Sequence, residues 1–511
     1  MNNTELTFAE PMNGLNTVSF DIFLDNLKAK MKNVFHVRAD INQMALKRGM
    51  PPFVMRELLS ANPLSVGIPS EYGGRGGKTE EIIALLAAAS YESLALSLTF
   101  GINLALFLQP VTKYGQEEVK QNIFNRFLYH QNMGGLMITE PGYGSDALNM
   151  QTSYTQHDGD FHLRGTKHWA GLTGWAEFWL LTARESTESG NLKRDIDFFI
   201  CDVNSKDQHI IVEEFYENLG LYQIPYGRNR LDVKIPKVQR LVPHTTGIKM
   251  MLDLLHRSRM QFPGMAMGFI QRMLDESIAH TQLRRIGGKP LVDYDQVQQR
   301  LAKLQASYTI CSAMCVNTNK MDELNNDLSM NGLEANSIKS VVTDLMQDAA
   351  QSATQLFGSR AYKLNHIAGR GIIDSRPFQI FEGSNDILYA QISESFVKLM
   401  KRARESNVFH FMQDFDLTHK SAGFLKNIMN FELDTNLPQR KMVELGQILG
   451  RVVSHEMVIN LGEKGFHSKL IENGLELLKH EITSLVSGFK YNNKAVVVED
   501  YQENSSWLRY F

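Results

Sequence analysis

Along residues 15 to about 134, apolar residues recur at spacings of three and four, as at Phe23, Leu27 and Met31, which predicts helices. A glycine-rich loop, Gly67-Ile-Pro-Ser-Glu-Tyr-Gly-Gly-Arg-Gly-Gly77, interrupts them. Tyr114-Gly-Gln-Glu-Glu-Val-Lys120 predicts a turn and then an acidic helix start, which suits the helix dipole. Ile82 to Leu108 is apolar enough to suggest a membrane span. However, Tyr91-Glu92-Ser93, Gly101 and Asn103 interrupt it, so two buried core helices are expected and no integral span. Near 135 the pattern changes. Phe161-His-Leu-Arg-Gly, Phe178-Trp-Leu-Leu-Thr, Asp197-Phe-Phe-Ile-Cys-Asp and His209-Ile-Ile-Val are short runs rich in β-branched and aromatic residues, and Leu231-Asp-Val-Lys-Ile-Pro236 alternates. They predict an antiparallel β domain over 135–245.

From 246 the helical period returns and holds to about 400, broken by a long polar loop from Gly358 to Pro377. Residues 401–511 are again mostly helical, with apolar positions in Leu470 to Val486 at helical spacing. There is no internal repeat. The expected organisation is a helical domain over 1–134, the β domain, a helical bundle over 246–400 and a helical extension over 401–511. That segregation is α+β, not a doubly wound sheet. Neither a Gly-x-Gly-x-x-Gly turn after a strand nor a Gly-Lys-Ser/Thr phosphate loop occurs.

Composition narrows the function classes. The chain has 511 residues, 43% apolar and 21% charged, which excludes a disordered or fibrous protein. Its 53 basic and 56 acidic residues leave a net charge of −3, so nothing in the bulk charge suggests nucleic acid or an anionic membrane. Cys201, Cys311 and Cys315 are too few for a disulfide framework, and no matching pair accompanies Cys311 and Cys315, so no metal site is expected. Met1 to Gly14 shows no basic region followed by an apolar run. A cytoplasmic, bacterial protein is expected.

Three segments carry candidate chemistry. Ile138-Thr-Glu-Pro-Gly-Tyr-Gly-Ser-Asp146 exposes backbone N–H groups and two hydroxyls, which can bind a planar heterocycle or a phosphate, or simply make a capped turn. Gly165-Thr-Lys-His-Trp-Ala-Gly171 places Trp169 in a β run, where an indole can pack on a flavin or fill the core. Phe378-Gln-Ile-Phe-Glu-Gly-Ser-Asn-Asp-Ile387 sets Glu382 after an apolar pair. Apolar walls would raise its pKa and suit it as general base for a weak carbon acid; the plain alternative is a solvated glutamate opening a helix.

In order and spacing, the three segments resemble those of the acyl-CoA dehydrogenase family: Thr-Glu-Pro-x-x-Gly-Ser-Asp, Gly-x-Lys-x-Trp and Ile-Tyr-Glu-Gly-Thr. Gly67 to Gly74, Gln116 to Lys120 and the run from Asn218-Leu-Gly-Leu to Val238 resemble further family segments. The likeness spans residues 50 to 395 and implies a helical domain, a β domain and a four-helix bundle with FAD between the last two. It implies α,β-dehydrogenation of an acyl thioester, CoA or carrier-bound. Glu382 matches the catalytic base. The alternative family position for that base is Ser258 here. Ile138, Thr139, Ser145, Trp169 and Gly171 match flavin-side positions, and Arg284 matches an arginine on the FAD pyrophosphate. Gln355, Gly358 and Ser359 match the segment reaching FAD from a neighbouring subunit. Ser384 and Asp386 match positions along its adenosine. Ser145, Arg259, Phe381 and Gly383 are expected around the thioester.

The chain also departs from the family. Gly171 stands where the family has a threonine, with Thr173 as a possible substitute donor. Gly287-Gly288 replaces Phe-Gly, Asp295 a glutamine, Ile373-Asp374 an Arg-Asp pair, and Ser359 a glycine. The extension resembles that of longer relatives, which implies a homodimer, and an electron-transferring flavoprotein is the family's usual acceptor. Two other functions compete: an oxidase or monooxygenase on this fold, with Glu382 arguing against the monooxygenase, and a flavin-free scaffold, which the altered FAD-side residues suggest. The 24 methionines and 28 phenylalanines can line a long acyl pocket or be plain core.

Overall fold

The computed structural model describes residues 18–318, 324–434, 436–491, 495–499, 501 and 506–510. Met1 to Gly14 and residues 492–494 lie outside them. Seven helices come first: α1 (Phe20–Asn33), α2 (Ile41–Met44), α3 (Pro52–Leu59), α4 (Thr79–Glu92), α5 (Leu94–Asn103), α6 (Gln109–Tyr114) and α7 (Glu117–His130). The apolar run is two helices, as expected. Ser93 ends α4 and caps α5, its hydroxyl accepting from Leu96 N at 3.3 Å. The helical stretch Leu94–Tyr114 is long and apolar enough to cross a membrane, but 94% of its most apolar window is buried inside the fold. Between α5 and α6, Leu104–Leu108 takes π-helical hydrogen bonding, an irregularity that often marks a functional wall.

The β domain has β1 (Gly134–Met137), β2 (Ser153–His157), β3 (Asp160–Gly171), β4 (Phe178–Glu185), β5 (Asp197–Asp202), β6 (Ile211–Phe215) and β7 (Tyr226–Pro236) in one sheet. The order is β1-β4-β2-β3-β7-β6, with β5 also on β4. The sheet is not wholly antiparallel: β1 and β2 each pair with β4 in parallel. Neither short strand was legible in the pattern. β1 is anchored from outside the sheet, where the buried Asn103 side chain accepts from Gly134 N at 2.7 Å.

Four long helices form the bundle behind the sheet: α9 (Phe262–Leu283), α10 (Asp295–Thr318), α11 (Gly332–Phe357) and α13 (Asn385–Ala403). A short α8 (Gly247–Arg259) leads in, its first amides held by the Asp195 carboxylate at 3.0 and 2.9 Å. A small hairpin, β8 (Arg285–Ile286) and β9 (Lys289–Pro290), follows α9. The expected polar loop from Gly358 to Pro377 contains a nine-residue helix, α12 (Ile367–Ser375), whose Arg370 and Asp374 side chains pair one turn apart at 3.9 Å. Beyond 400 come α14 (Val408–Gln413), α15 (His419–Met429), α16 (Gln439–Glu463) and α17 (Ser468–Lys490). Helix α16 packs along α10, α11 and α13, so the extension widens the bundle. All three cysteines are free and buried, and no metal-binding group of side chains occurs among the described residues.

Candidate active site

A cavity of about 400 Å³ opens where the sheet, α5, α8 and the turn before α13 meet. Leu98, Ile102 and Leu106 form one wall, the last within the π-helical turn. Ile248, Met251, Leu252 and Leu255 of α8 form another. The polar groups converge from two loops. One is the turn at Phe381, Glu382 and Gly383. The other is the Ile138–Ser145 segment with His168 to Gly171 beside it. A second enclosed space, between Glu92, Gln223, Arg370 and Asp374, is about 20 Å³ and holds no more than a water or two.

The Glu382 wall is built on an unusual backbone. Glu382 has φ +54°, in the left-handed region that side chains seldom adopt, and Gly383 has φ +93°. Arg259 holds this turn by donating to the Glu382 carbonyl from Nε at 3.1 Å and Nη2 at 2.8 Å. Its third contact, to Asn336 Oδ1 at 2.7 Å, fixes the guanidinium to α11. Lys339, fully buried on α11, donates to the Gly383 carbonyl at 2.8 Å and to Asn385 Oδ1 at 3.0 Å. The Glu382 carboxylate itself is sparsely served. Ser258 Oγ donates to Oε1 at 2.8 Å, and Oε2 is buried with no partner among the described residues. Burial pushes the carboxyl pKa up, and Arg259, the Ser258 hydroxyl and Lys339 only partly oppose it. Burial likewise lowers Arg259 to about 10 and Lys339 to about 7.

The opposite wall is held differently. Trp169 sits at a β-bulge, with φ +58° and 51% exposure toward the cavity. Tyr216 packs on its ring at 4.5 Å, leaving the rest of the indole as a flat apolar surface. The Ile138–Ser145 loop beside it is tied to β3 by a buried ion pair, Lys167 Nζ to Glu140 Oε1 at 2.7 Å. Lys167 also reaches the Ile138 carbonyl and Thr182 Oγ1, and His168 N donates to the Thr139 carbonyl at 2.9 Å. Glu140 accepts two further bonds, from Gln151 N and Thr152 N. Burial opposes its charge, yet Lys167 and these bonds prevail and hold its pKa low. Burial in turn lowers Lys167 to about 8.

Of the residues expected at the site, Ile138, Thr139, Ser145, Trp169, Gly171, Arg259, Phe381, Glu382 and Gly383 line this one cavity. Ser384 and Asp386 flank it at the start of α13, Asp386 exposed. Arg284, Gln355, Gly358 and Ser359 are not in it: all four are exposed, on the chain segments that follow α9 and end α11. Thr173 cannot replace the donor absent at Gly171. Its buried hydroxyl donates to the Ala170 carbonyl at 2.8 Å and accepts from Asn229 Nδ2 at 3.1 Å. A Cβ on Gly171 would lie 2.8 Å from Ile102 Cδ1, so the glycine admits the α5 wall. Four contributors were not picked out from sequence. Ser258 was noted only as lacking a carboxylate, and Lys339, Asn385 and Lys167 look like ordinary polar residues on helix or strand. Lys167, inside the Gly-x-Lys-x-Trp motif, and Asn385, inside the Phe378–Ile387 segment, carried a sequence signal, and Lys339 carried none.

The cavity suits a flavin's ring system. It offers one flat aromatic surface, apolar walls, and hydroxyls on Thr139 and Ser145 that have no hydrogen-bond partner among the described residues. Comparison with known proteins points the same way. Models of the N-terminal, middle and C-terminal domains of acyl-CoA dehydrogenase match residues 27–129, 135–233 and 245–397. A probable acyl-CoA dehydrogenase of Bacillus subtilis is 24% identical over 336 residues, covering 66% of this chain and 87% of the relative. An L-prolyl-[peptidyl-carrier protein] dehydrogenase of Pseudomonas fluorescens is 25% identical over 343 residues, covering 65% and 87%. Among solved structures, an acyl-CoA dehydrogenase of Bacillus anthracis complexed with FAD aligns with a TM-score of 0.75 at 16% identity. It covers 93% of this chain and 88% of that one, a share that must take in helices beyond residue 400. With its motifs in order on a helical, β and helical fold, and family models matching most of its length, this chain belongs to the acyl-CoA dehydrogenase family of FAD-dependent oxidoreductases.

Proposed function

We propose that the protein catalyses α,β-dehydrogenation of an acyl thioester, with Glu382 as the base. One observation carries the reading: a carboxylate oxygen, Glu382 Oε2, is buried at an apolar cavity with no partner among the described residues. An uncommitted oxygen of raised basicity suits removal of a weakly acidic α-proton. Ser258 holds Oε1, so the proton is taken at Oε2. Arg259 and Lys339 grip the two carbonyls of the turn and keep the carboxylate aimed. The walls from α5 and α8 take the acyl chain and exclude water, which keeps the base desolvated. Ile138, Thr139, Ser145, Trp169 and Gly171 would hold the flavin ring, and bound FAD supplies the acceptor for the hydrogen leaving Cβ with its electron pair.

Arg284, Gln355, Gly358 and Ser359 fit a role toward a neighbouring subunit's FAD, because all four are exposed and none lines their own cavity. A homodimer and re-oxidation by an electron-transferring flavoprotein belong to the same reading. The decisive experiment is anaerobic addition of acyl-CoAs of graded length to the purified flavoprotein. Bleaching of the flavin absorbance by one chain length is the expected result. A flavin that no acyl-CoA bleaches, and that prolyl or acyl carrier-protein thioesters also leave oxidised, would sink the reading.

A further inference from the structure

The extension reaches the turn that carries Glu382. Helix α16 crosses α13 at unusually close range, because it presents glycine twice at one-turn spacing. A Cβ on Gly446 would lie 2.0 Å from the Tyr389 carbonyl oxygen, and one on Gly450 would lie 3.4 Å from the Tyr389 ring. No larger residue fits at Gly446 without moving the helices apart. The close crossing delivers Arg451, the next residue on α16, to a polar chain in the bundle. Its Nε donates to Glu481 Oε2 of α17 at 2.7 Å. Its other nitrogens reach Tyr389 Oη at 3.4 Å and Asp344 Oδ2 at 3.5 Å. Tyr389 Oη donates to the same Asp344 oxygen at 2.6 Å.

From there the chain runs inward without a gap. Asp344 Oδ1 accepts from Asn385 Nδ2 at 2.8 Å. Asn385 Oδ1 accepts from Lys339 Nζ at 3.0 Å, and Lys339 donates to the Gly383 carbonyl at 2.8 Å. Asn385 is buried and Lys339 fully so. A buried chain of this kind is rigid only when every member is satisfied. Asp344 Oδ1 also accepts from Gln379 Nε2 at 2.8 Å, and Arg451 is the cation that faces its other oxygen from the extension.

We infer that Arg451 is a positioning residue for Glu382: through Tyr389, Asp344, Asn385 and Lys339, the extension holds the Glu382–Gly383 turn in its left-handed conformation. The inference rests on Glu382 being the base, but the holding of the turn is testable without that reading. The test compares the full-length flavoprotein with Arg451→Met, Arg451→Lys and Val452→Ala. Val452 is a fully buried neighbour on α16 outside the polar chain, so its truncation reports simple loosening of the extension.

The first readout is amide hydrogen exchange in the peptide spanning residues 378–388. Arg451→Met should speed it about tenfold, Arg451→Lys should restore most of the protection, and Val452→Ala at a matched drop in melting temperature should not reproduce the change. The second is steady-state turnover with the acyl-CoA that bleaches the flavin. There kcat should fall about tenfold while KM stays within about twofold, since only the aim of the base is disturbed. If Arg451→Met does not fold, Tyr389→Phe takes its place, with a smaller change expected in the same peptide. Unchanged exchange at 378–388, or an equal change in Val452→Ala, would overturn the inference. If no thioester bleaches the wild-type flavin, the dehydrogenase reading falls, and the exchange result alone decides the positioning claim.

Discussion

Two glutamates, Glu140 and Glu382, sit in two loops that line the same cavity, and they are held in opposite ways. Glu140 meets a lysine and two backbone amides, and its pKa is lowered. Glu382 meets one hydroxyl, keeps one oxygen bare, and its pKa is raised. Glu140 is buried and Glu382 half-buried, and burial pushes both carboxyls up, so burial alone does not separate them. The number of groups aimed at the carboxylate oxygens does. In Glu382 the nearby cations are spent on backbone carbonyls: Arg259 and Lys339 bind the peptide oxygens of the turn and leave the carboxylate short of partners. A fully served carboxylate suits a fastener, and an underserved one suits the base proposed here.

The largest expected effect breaks the pair apart on activity. Glu382→Gln should keep bound flavin and lower the rate of flavin reduction by about 10³-fold, within the usual range for losing a general base, as read by anaerobic stopped-flow absorbance. Its stability should also lose a pH dependence. The folded pKa of Glu382 is raised, so its contribution to stability is full below the ordinary carboxylate pKa and is lost as pH rises through the folded value. Melting curves of Glu382→Gln against pH should lack that decline. Lys167→Met should do the reverse. It strands a buried carboxylate at Glu140, costs about 3–5 kcal/mol in a denaturant titration, and loosens the flavin-side loop.

Smaller changes sharpen the contrast. Ser258→Ala removes the sole hydrogen bond to the Glu382 carboxylate among the described residues, so the acidic limb of the pH–rate profile should move upward by about one pH unit. A limb that stays in place would mean another group titrates there. Thr173→Val should leave the flavin spectrum unchanged and cost about 1 kcal/mol, because the hydroxyl serves Ala170 and Asn229 instead of the cavity.

What the sequence made legible follows from what is local. The helices, β3, β4, β5 and β7, and the cavity residues from Ile138 to Gly383 all carry periodicity or motif spacing. β1 and β2 were hidden because four- and five-residue strands take their identity from a partner, here β4. Helix α12 was hidden by the glycines and histidine around it, although Arg370 and Asp374 stand one turn apart. Lys339 could not be placed from sequence because Glu382 lies 43 residues away, and Ser258, 124 residues away, was legible only as the family's alternative base position. Thr173 was misread for the opposite reason: it is close to Gly171 in sequence, but its side chain turns into the sheet.

Trp169 and Glu382 share a feature with a longer reach. Both hold backbone angles that favour glycine, at φ +58° and +54°, a conformation costing a larger residue about 1 kcal/mol. Glycine at either position would relax the chain and remove the side chain that the cavity is built around. Selection for heat resistance alone would therefore drift away from the proposed base and flavin surface at these two positions. A stabilised version of this enzyme has to gain its stability elsewhere.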